Sequence, residues 1–134
     1  MKKPILVVAS QFPKEIEDRI DRDYDPRRNP NTVPFSREQL LAAADGVDAI
    51  FVTLLDRLDS NFFQRVSPTV RIIATYSVGY DHIDLKAAAR KRISVAYTPG
   101  VNHVSAVRLL RLAWRWACWR WTISTPYCRK TGSD

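Results

Sequence analysis

Ile72 to Gly100 reads IIATYSVGYDHIDLKAAARKRISVAYTPG. Val70 to Tyr76 is an apolar, β-branched run with the composition of a buried strand. Ser77-Val78-Gly79 breaks it with a glycine turn. Asp84 stands just before Leu85-Lys86-Ala87-Ala88-Ala89-Arg90, where a carboxylate accepts from the free N–H groups of a first helical turn. A helix is expected from there to about Arg92. Ile93 to Tyr97 is a second apolar run, closed by Pro99-Gly100. Strand, turn, capped helix and strand make one βαβ unit, the connection that parallel strands require.

The same rhythm extends toward the N-terminus. Pro4 to Ser10 (PILVVAS) reads as a strand, and Lys14 to Arg22 as a charged helix with Ile16 and Ile20 as its apolar seam. Asp23 to Pro34 holds three prolines and two asparagines and reads as a loop with room for one short edge strand. Ser36 begins a helix with Gln39 three residues on, the spacing of a capping box, and Gly46 ends it. Asp48 to Leu55 (DAIFVTLL) is a strand, and Ser60 to Val66 a short helix stopped before Pro68. Short apolar strands alternating with helices about ten residues long predict an α/β fold: an open, flavodoxin-like parallel sheet of about five strands with helices on both faces. The expected strand order is 2-1-3-4-5, with right-handed crossovers. Ligands of such sheets lie beyond the carboxyl ends of the strands, so the loops after Ser10, Thr53 and Tyr76 are the ones to watch.

The chain has 134 residues, the size of one ordinary domain, and 46% of them are hydrophobic, enough to bury a core. No uncharged apolar run reaches the 18 residues of a membrane span. The opening MKKPILVVAS is too short in its apolar part for a signal peptide and reads as the first strand. The net charge of +7 is unevenly spread. Residues 1–100 hold 15 Lys/Arg against 13 Asp/Glu, while residues 101–134 hold six against one. The near-neutral larger part argues against nucleic-acid binding by the domain. Residues 1–100 also lack cysteine, which fits a reducing, cytoplasmic setting.

Three motifs follow one another on this pattern. Val52-Thr53-Leu54-Leu55-Asp56-Arg57-Leu58-Asp59 leaves one strand, Ser77-Val78-Gly79-Tyr80-Asp81-His82-Ile83-Asp84 leaves the next, and Val95-Ala96-Tyr97-Thr98-Pro99-Gly100-Val101 leaves a third. In this order and spacing they resemble the D-isomer-specific 2-hydroxyacid dehydrogenases, nearest to the glyoxylate/hydroxypyruvate reductase branch. The resemblance covers roughly residues 4–101. It implies that residues 1–101 are a substrate-binding (catalytic) domain. It also implies an oxidoreductase in which hydride passes between NAD or NADP and C2 of a small 2-oxo or 2-hydroxy acid.

The chemistry suits the residues. A carboxylate needs converging N–H donors, and a turn of consecutive backbone amides supplies them. A glycine at position 79 admits close approach and a positive φ. By resemblance, the main chain at Val78 and Gly79 holds the substrate carboxylate, Leu54 and Leu55 form a wall of the site, and residues 99–101 lead toward a nucleotide domain. Asp81 and Asp84 read as turn and cap residues, not catalytic acids. His82 stands where the family commonly has Asn and is expected to make a turn hydrogen bond. His103 has no cluster of metal ligands around it, and Cys118 and Cys128 lack a CxxC spacing.

The family's His acid/base, its bracing carboxylate and its substrate-orienting Arg belong to a second domain, and no residue here matches them. The four glycines, Gly46, Gly79, Gly100 and Gly132, cannot form a G-x-G-x-x-G. No cofactor is therefore expected to bind this chain alone, and no catalytic residue is assigned. Residues 102–134 form an atypical tail rich in Arg and holding Trp114, Trp116, Trp119 and Trp121. A shifted frame turns TGG codons preceded by C into CTG, hence Leu, and would restore the family's Leu/Ala-rich helix. The expectation is a fragment, frameshifted near codons 101–105, inactive alone and self-associating through an uncovered interdomain face. The alternative is a standalone α/β binding module whose basic tail contacts a membrane or nucleic acid.

Overall fold

The computed structural model describes residues 2–77 and 79–97. Within them β1 (Ile5–Val8), β2 (Asp25–Arg28), β3 (Ala49–Thr53), β4 (Ile72–Tyr76) and β5 (Ser94–Ala96) form a parallel sheet. Its order is β2-β1-β3-β4-β5, the order expected from the βαβ rhythm. The helices are α1 (Lys14–Asp23), α2 (Arg37–Ala43), α3 (Ser60–Arg65) and α4 (Leu85–Arg90).

Successive strand residues point to opposite faces, so a strand covered on both sides needs apolar residues at every position. Leu6, Val8, Ala49, Phe51, Ile72 and Ala74 pack with Ile16 and Ile20 of α1 on one face. Val7, Ile50, Val52, Ile73 and Val95 meet Leu40, Phe62, Phe63, Ala87 and Ala88 of α2, α3 and α4 on the other. Phe51, Phe62, Ile50 and Ile73 are fully buried.

β2 is the edge strand for which the Pro-rich segment left room. Its sequence, DPRR, is neither apolar nor β-branched, but its backbone pairs with Ile5–Val8. An edge position tolerates Pro26, because a proline missing its N–H there costs no second ladder.

The capping box is present as expected: Ser36 Oγ accepts from Gln39 N at 3.2 Å, and Gln39 Oε1 accepts from Ser36 N at 2.9 Å. α2 and α4 are shorter than the expected ten residues, at 7 and 6, while α3, expected to be short, spans 6. α3 stops because Val66 turns extended, with ψ 145°, before Pro68. α4 stops because Arg92 adopts a left-handed φ of 58°, and the N–H groups of Arg92 and Ile93 close on the carbonyls of Ala89 and Ala88. Arg65 and Glu38 form a bidentate ion pair between α3 and α2, at 2.6 and 2.7 Å.

Candidate functional site

All strands of a parallel sheet deliver their loops to one edge, and the three loops singled out in the sequence emerge there. After β3, Leu54 and Leu55 turn outward and stay 63% and 68% exposed. The chain then folds back on itself. Asp56 Oδ2 accepts from Thr53 N at 2.8 Å and from Thr53 Oγ1 at 3.2 Å, and Leu55 N donates to Thr53 Oγ1 at 3.3 Å. Asp56 is buried by this turn, and its Oδ1 has no hydrogen-bond partner among the described residues. Asp59 closes the loop as the cap of α3, accepting from Phe62 N at 3.0 Å. A depression of about 210 Å³ lies beside it, lined by Phe35, Arg37, Leu40, Leu55, Asp56, Arg57 and Phe62.

The turn after β4 is polar where the first loop is apolar. Ser77 Oγ donates to the Gly79 carbonyl at 2.6 Å, Thr75 Oγ1 lies 2.9 Å from Ser77 Oγ, and His82 Nε2 lies 2.9 Å from Thr75 Oγ1. Thr75 is fully buried on β4, while Ser77, Gly79 and His82 are half-buried. Burial pulls the His82 imidazole below its ordinary 6.5, opposed by the nearby carboxylates of Asp56 and Asp81. Tyr80 packs its edge on Tyr97, with ring centres 4.9 Å apart. Asp84 caps α4 by accepting from Ala87 N at 3.0 Å, the role expected of it.

These two loops are held together by backbone. Leu58 and Ile83 form a parallel bridge: Leu58 N donates to the His82 carbonyl and Asp84 N to the Leu58 carbonyl, each at 2.9 Å. Both side chains are buried, so the bridge is excluded from water. The loop after β1 adds Phe12, which stacks on Phe51 at 4.3 Å and meets Tyr76 edge-on at 5.5 Å.

Of the predicted substrate contacts, Gly79, Leu54 and Leu55 therefore lie on loops brought together at the carboxyl edge. Val78 falls outside the described residues, as do residues 98–101 and the whole tail from 102 to 134. Positive φ angles occur at Gly46 (71°) and at Arg92, while the φ of Gly79 involves Val78, which lies outside the described residues. Among the described residues, a Cβ added at Gly79 would meet nothing nearer than Asp81 Oδ2 at 3.9 Å. Sequence reading missed Thr75, Ser77 and Phe12. A hydroxyl at a strand end and a lone aromatic carry no local signal of a shared site.

Among the described residues there is no group of three His, Cys, Asp or Glu placed to hold a metal ion. None of the described helices is long and apolar enough to cross a membrane. A dinucleotide's phosphates are commonly held by a glycine-rich turn at a helix N-terminus, whereas the described helices α1, α2, α3 and α4 open on Pro13, Ser36, Asp59 and Asp84.

Residues 5–109 match the family model of the D-isomer specific 2-hydroxyacid dehydrogenase catalytic domain. The chain is 36% identical over 102 residues to a glyoxylate reductase of Aeropyrum pernix, covering 75% of this chain and 30% of that protein. It is 32% identical over 99 residues to a glyoxylate reductase of Korarchaeum cryptofilum, covering 74% and 30%. Among solved structures it is similar to a chain assigned to the NAD-binding D-isomer-specific 2-hydroxyacid dehydrogenases in Polaromonas sp. JS6 66. There the TM-score is 0.69 at 29% identity, over 72% of this chain and 30% of that one. The chain thus spans about a third of the length of these relatives. Fold, motif order and these matches agree, and the chain belongs to the D-isomer-specific 2-hydroxyacid dehydrogenase family, in its catalytic domain.

Proposed function

We propose that this domain receives a small 2-oxo or 2-hydroxy acid. The acid's carboxylate accepts from the main-chain N–H groups of Val78 and Gly79, and Leu54 and Leu55 cover its carbon chain. The observation that carries this reading is the Leu58–Ile83 bridge, which joins a polar glycine turn to an exposed apolar loop at one edge of the sheet. A carboxylate wants unpaired N–H donors and a chain of two or three carbons wants apolar cover, and the two loops divide those tasks. The names of the relatives point to glyoxylate as the acid to try first.

Hydride transfer needs a nicotinamide, NAD or NADP, together with an acid/base and an orienting cation. None of the described helices opens on a glycine-rich turn, and on that ground the reading assigns the cofactor no contact with this chain. The chain alone is proposed to be a substrate-domain fragment that turns over nothing. Residence in the cytoplasm, without nucleic-acid or membrane partners, suits the near-neutral, cysteine-free residues 1–100. Self-association, by contact of apolar surface such as Leu54, Leu55 and Val33, is the proposed consequence of leaving that surface open.

The test is a titration of the isotope-labelled full chain with glyoxylate, followed by amide NMR, with acetate as the control lacking the 2-oxo group. Saturable shifts centred on Gly79 and Leu55, weaker with acetate, are expected. Shifts confined to the depression beside Arg37 and Arg57, or none, overturn the reading. A parallel titration with NADH is expected to leave all amides in place; saturable NADH binding overturns the assignment as a fragment without a cofactor site.

A further inference from the structure

Thr75, Ser77 and His82 form a chain of hydrogen bonds that has no part in the reading so far. Its direction follows from proton counting. The Gly79 carbonyl only accepts, so the Ser77 hydroxyl spends its proton there, at 2.6 Å. Ser77 Oγ then has only lone pairs for Thr75, so Thr75 Oγ1 is the donor across their 2.9 Å contact. Thr75, its proton spent, accepts from His82 Nε2 at 2.9 Å. The imidazole must therefore carry a proton on Nε2, an assignment made from the network.

We propose that His82 is a positioning residue for the Gly79 turn, acting through a one-way relay from Nε2–H to Thr75, to Ser77, to the Gly79 carbonyl. This rests on the reading of that turn as the carboxylate site. Glycine is the residue with the most backbone freedom to lose, and a turn that presents amides to an anion works only if they are already aimed. The relay fixes the Gly79 carbonyl, and with it the 79–80 peptide plane that closes the C-terminal side of the turn, without touching the acid. It starts on a residue whose own carbonyl is tied to Leu58 N at 2.9 Å, so both ends of the His82 segment are anchored. It passes through Thr75, which is fully buried, so water does not compete with its two contacts. The His82 segment thereby couples the apolar loop after β3 to the geometry of the polar turn after β4.

The experiment uses the full chain with ¹⁵N- and ¹³C-labelling. Long-range ¹H–¹⁵N correlation at pH about 8 is expected to show neutral His82 protonated on Nε2. Protonation on Nδ1 with a bare Nε2 overturns the relay. Thr75→Val keeps the shape of Thr75 but cannot pass a hydrogen bond, whereas Thr75→Ser can. The valine variant is expected to move the Gly79 carbonyl ¹³C resonance and to weaken glyoxylate binding about five- to tenfold, the serine variant to restore both. Ser77→Ala, at a less buried position, is expected to reproduce the valine result and serves if Thr75→Val fails to fold. A Gly79 carbonyl indifferent to the loss of either hydroxyl overturns the proposal. A wild-type chain whose Gly79 amide ignores glyoxylate overturns the carboxylate reading alone, since tautomer and carbonyl shift are measured without ligand.

Discussion

The two βα units that follow β3 and β4 are built alike at their bases and differently at their tips. Each strand ends in a five-residue apolar run, AIFVT and IIATY, paired in register from Ala49–Ile72 to Thr53–Tyr76. Each helix starts on an aspartate that accepts from the third N–H, at the same 3.0 Å. Between strand and helix the units diverge. The first presents two exposed leucines over a turn closed by the buried Asp56. The second presents a glycine held by hydroxyls and an imidazole. A repeated scaffold thus gives one apolar and one polar surface at a common edge, and the Leu58–Ile83 bridge sets their separation.

The comparison breaks first at its shared base. Phe62 of α3 is fully buried and packs edge-on against Phe63, so Phe62→Ala is expected to cost about 3–5 kcal/mol in urea unfolding. A loss under about 1 kcal/mol would show that α3 is not seated on the sheet as described. Next comes the turn peculiar to the first unit. Asp56→Ala strands Thr53 N and its hydroxyl and is expected to cost about 2 kcal/mol, while Asp56→Asn, which keeps an acceptor, costs distinctly less. Equal losses in the two variants would mean that charge and not hydrogen bonding holds the turn. The shared caps come third. Asp59→Ala and Asp84→Ala are each expected to cost about 1 kcal/mol, and a large inequality between them would end the likeness of the two bases. The exposed pairing of Asp59 with Arg37 adds little to its side of that balance.

The smallest effect belongs to the second unit and depends on pH. Burial lowers the His82 imidazole in the fold below the 6.5 it has when unfolded, with Asp56 and Asp81 resisting. Between those two values the unfolded chain binds the extra proton, so stability rises with pH there. The contribution is whole above the unfolded value and is lost as pH falls through the lowered native one. Comparing wild type with His82→Asn from pH about 8 to about 5, wild type is expected to lose ground to the variant as pH falls. A difference constant with pH would show that His82 is not desolvated.

Much of the scaffold was legible because its signals are local. The run VVA, the pair Ser36 and Gln39, and Asp84 before an alanine-rich stretch each act on neighbours within four residues, and each did in the fold what its spacing implied. β2 was only half legible: a strand of Asp-Pro-Arg-Arg is made by the partner it finds in β1 and not by its own preferences. Gly79, Leu54 and Leu55 could be named because they resemble motifs of a family, not because their physics stands out. Asp56 reads in sequence as one more charge in a loop, and its burial depends on Thr53 meeting it three residues back.

The residue order alone settled that strands and helices alternate and that their loops emerge together at the carboxyl edge, since a parallel sheet leaves no other arrangement. It also shows that the four glycines of these 134 residues form no G-x-G-x-x-G. The joining of the loops and the direction of the His82–Thr75–Ser77–Gly79 chain needed the folded sheet. Leu58 and Ile83 are 25 positions apart, and Thr75 reaches His82 only after the turn has closed. Contacts of that kind depend on the register of β3 against β4, a property of two strands and their buried faces that neither strand carries in its own sequence.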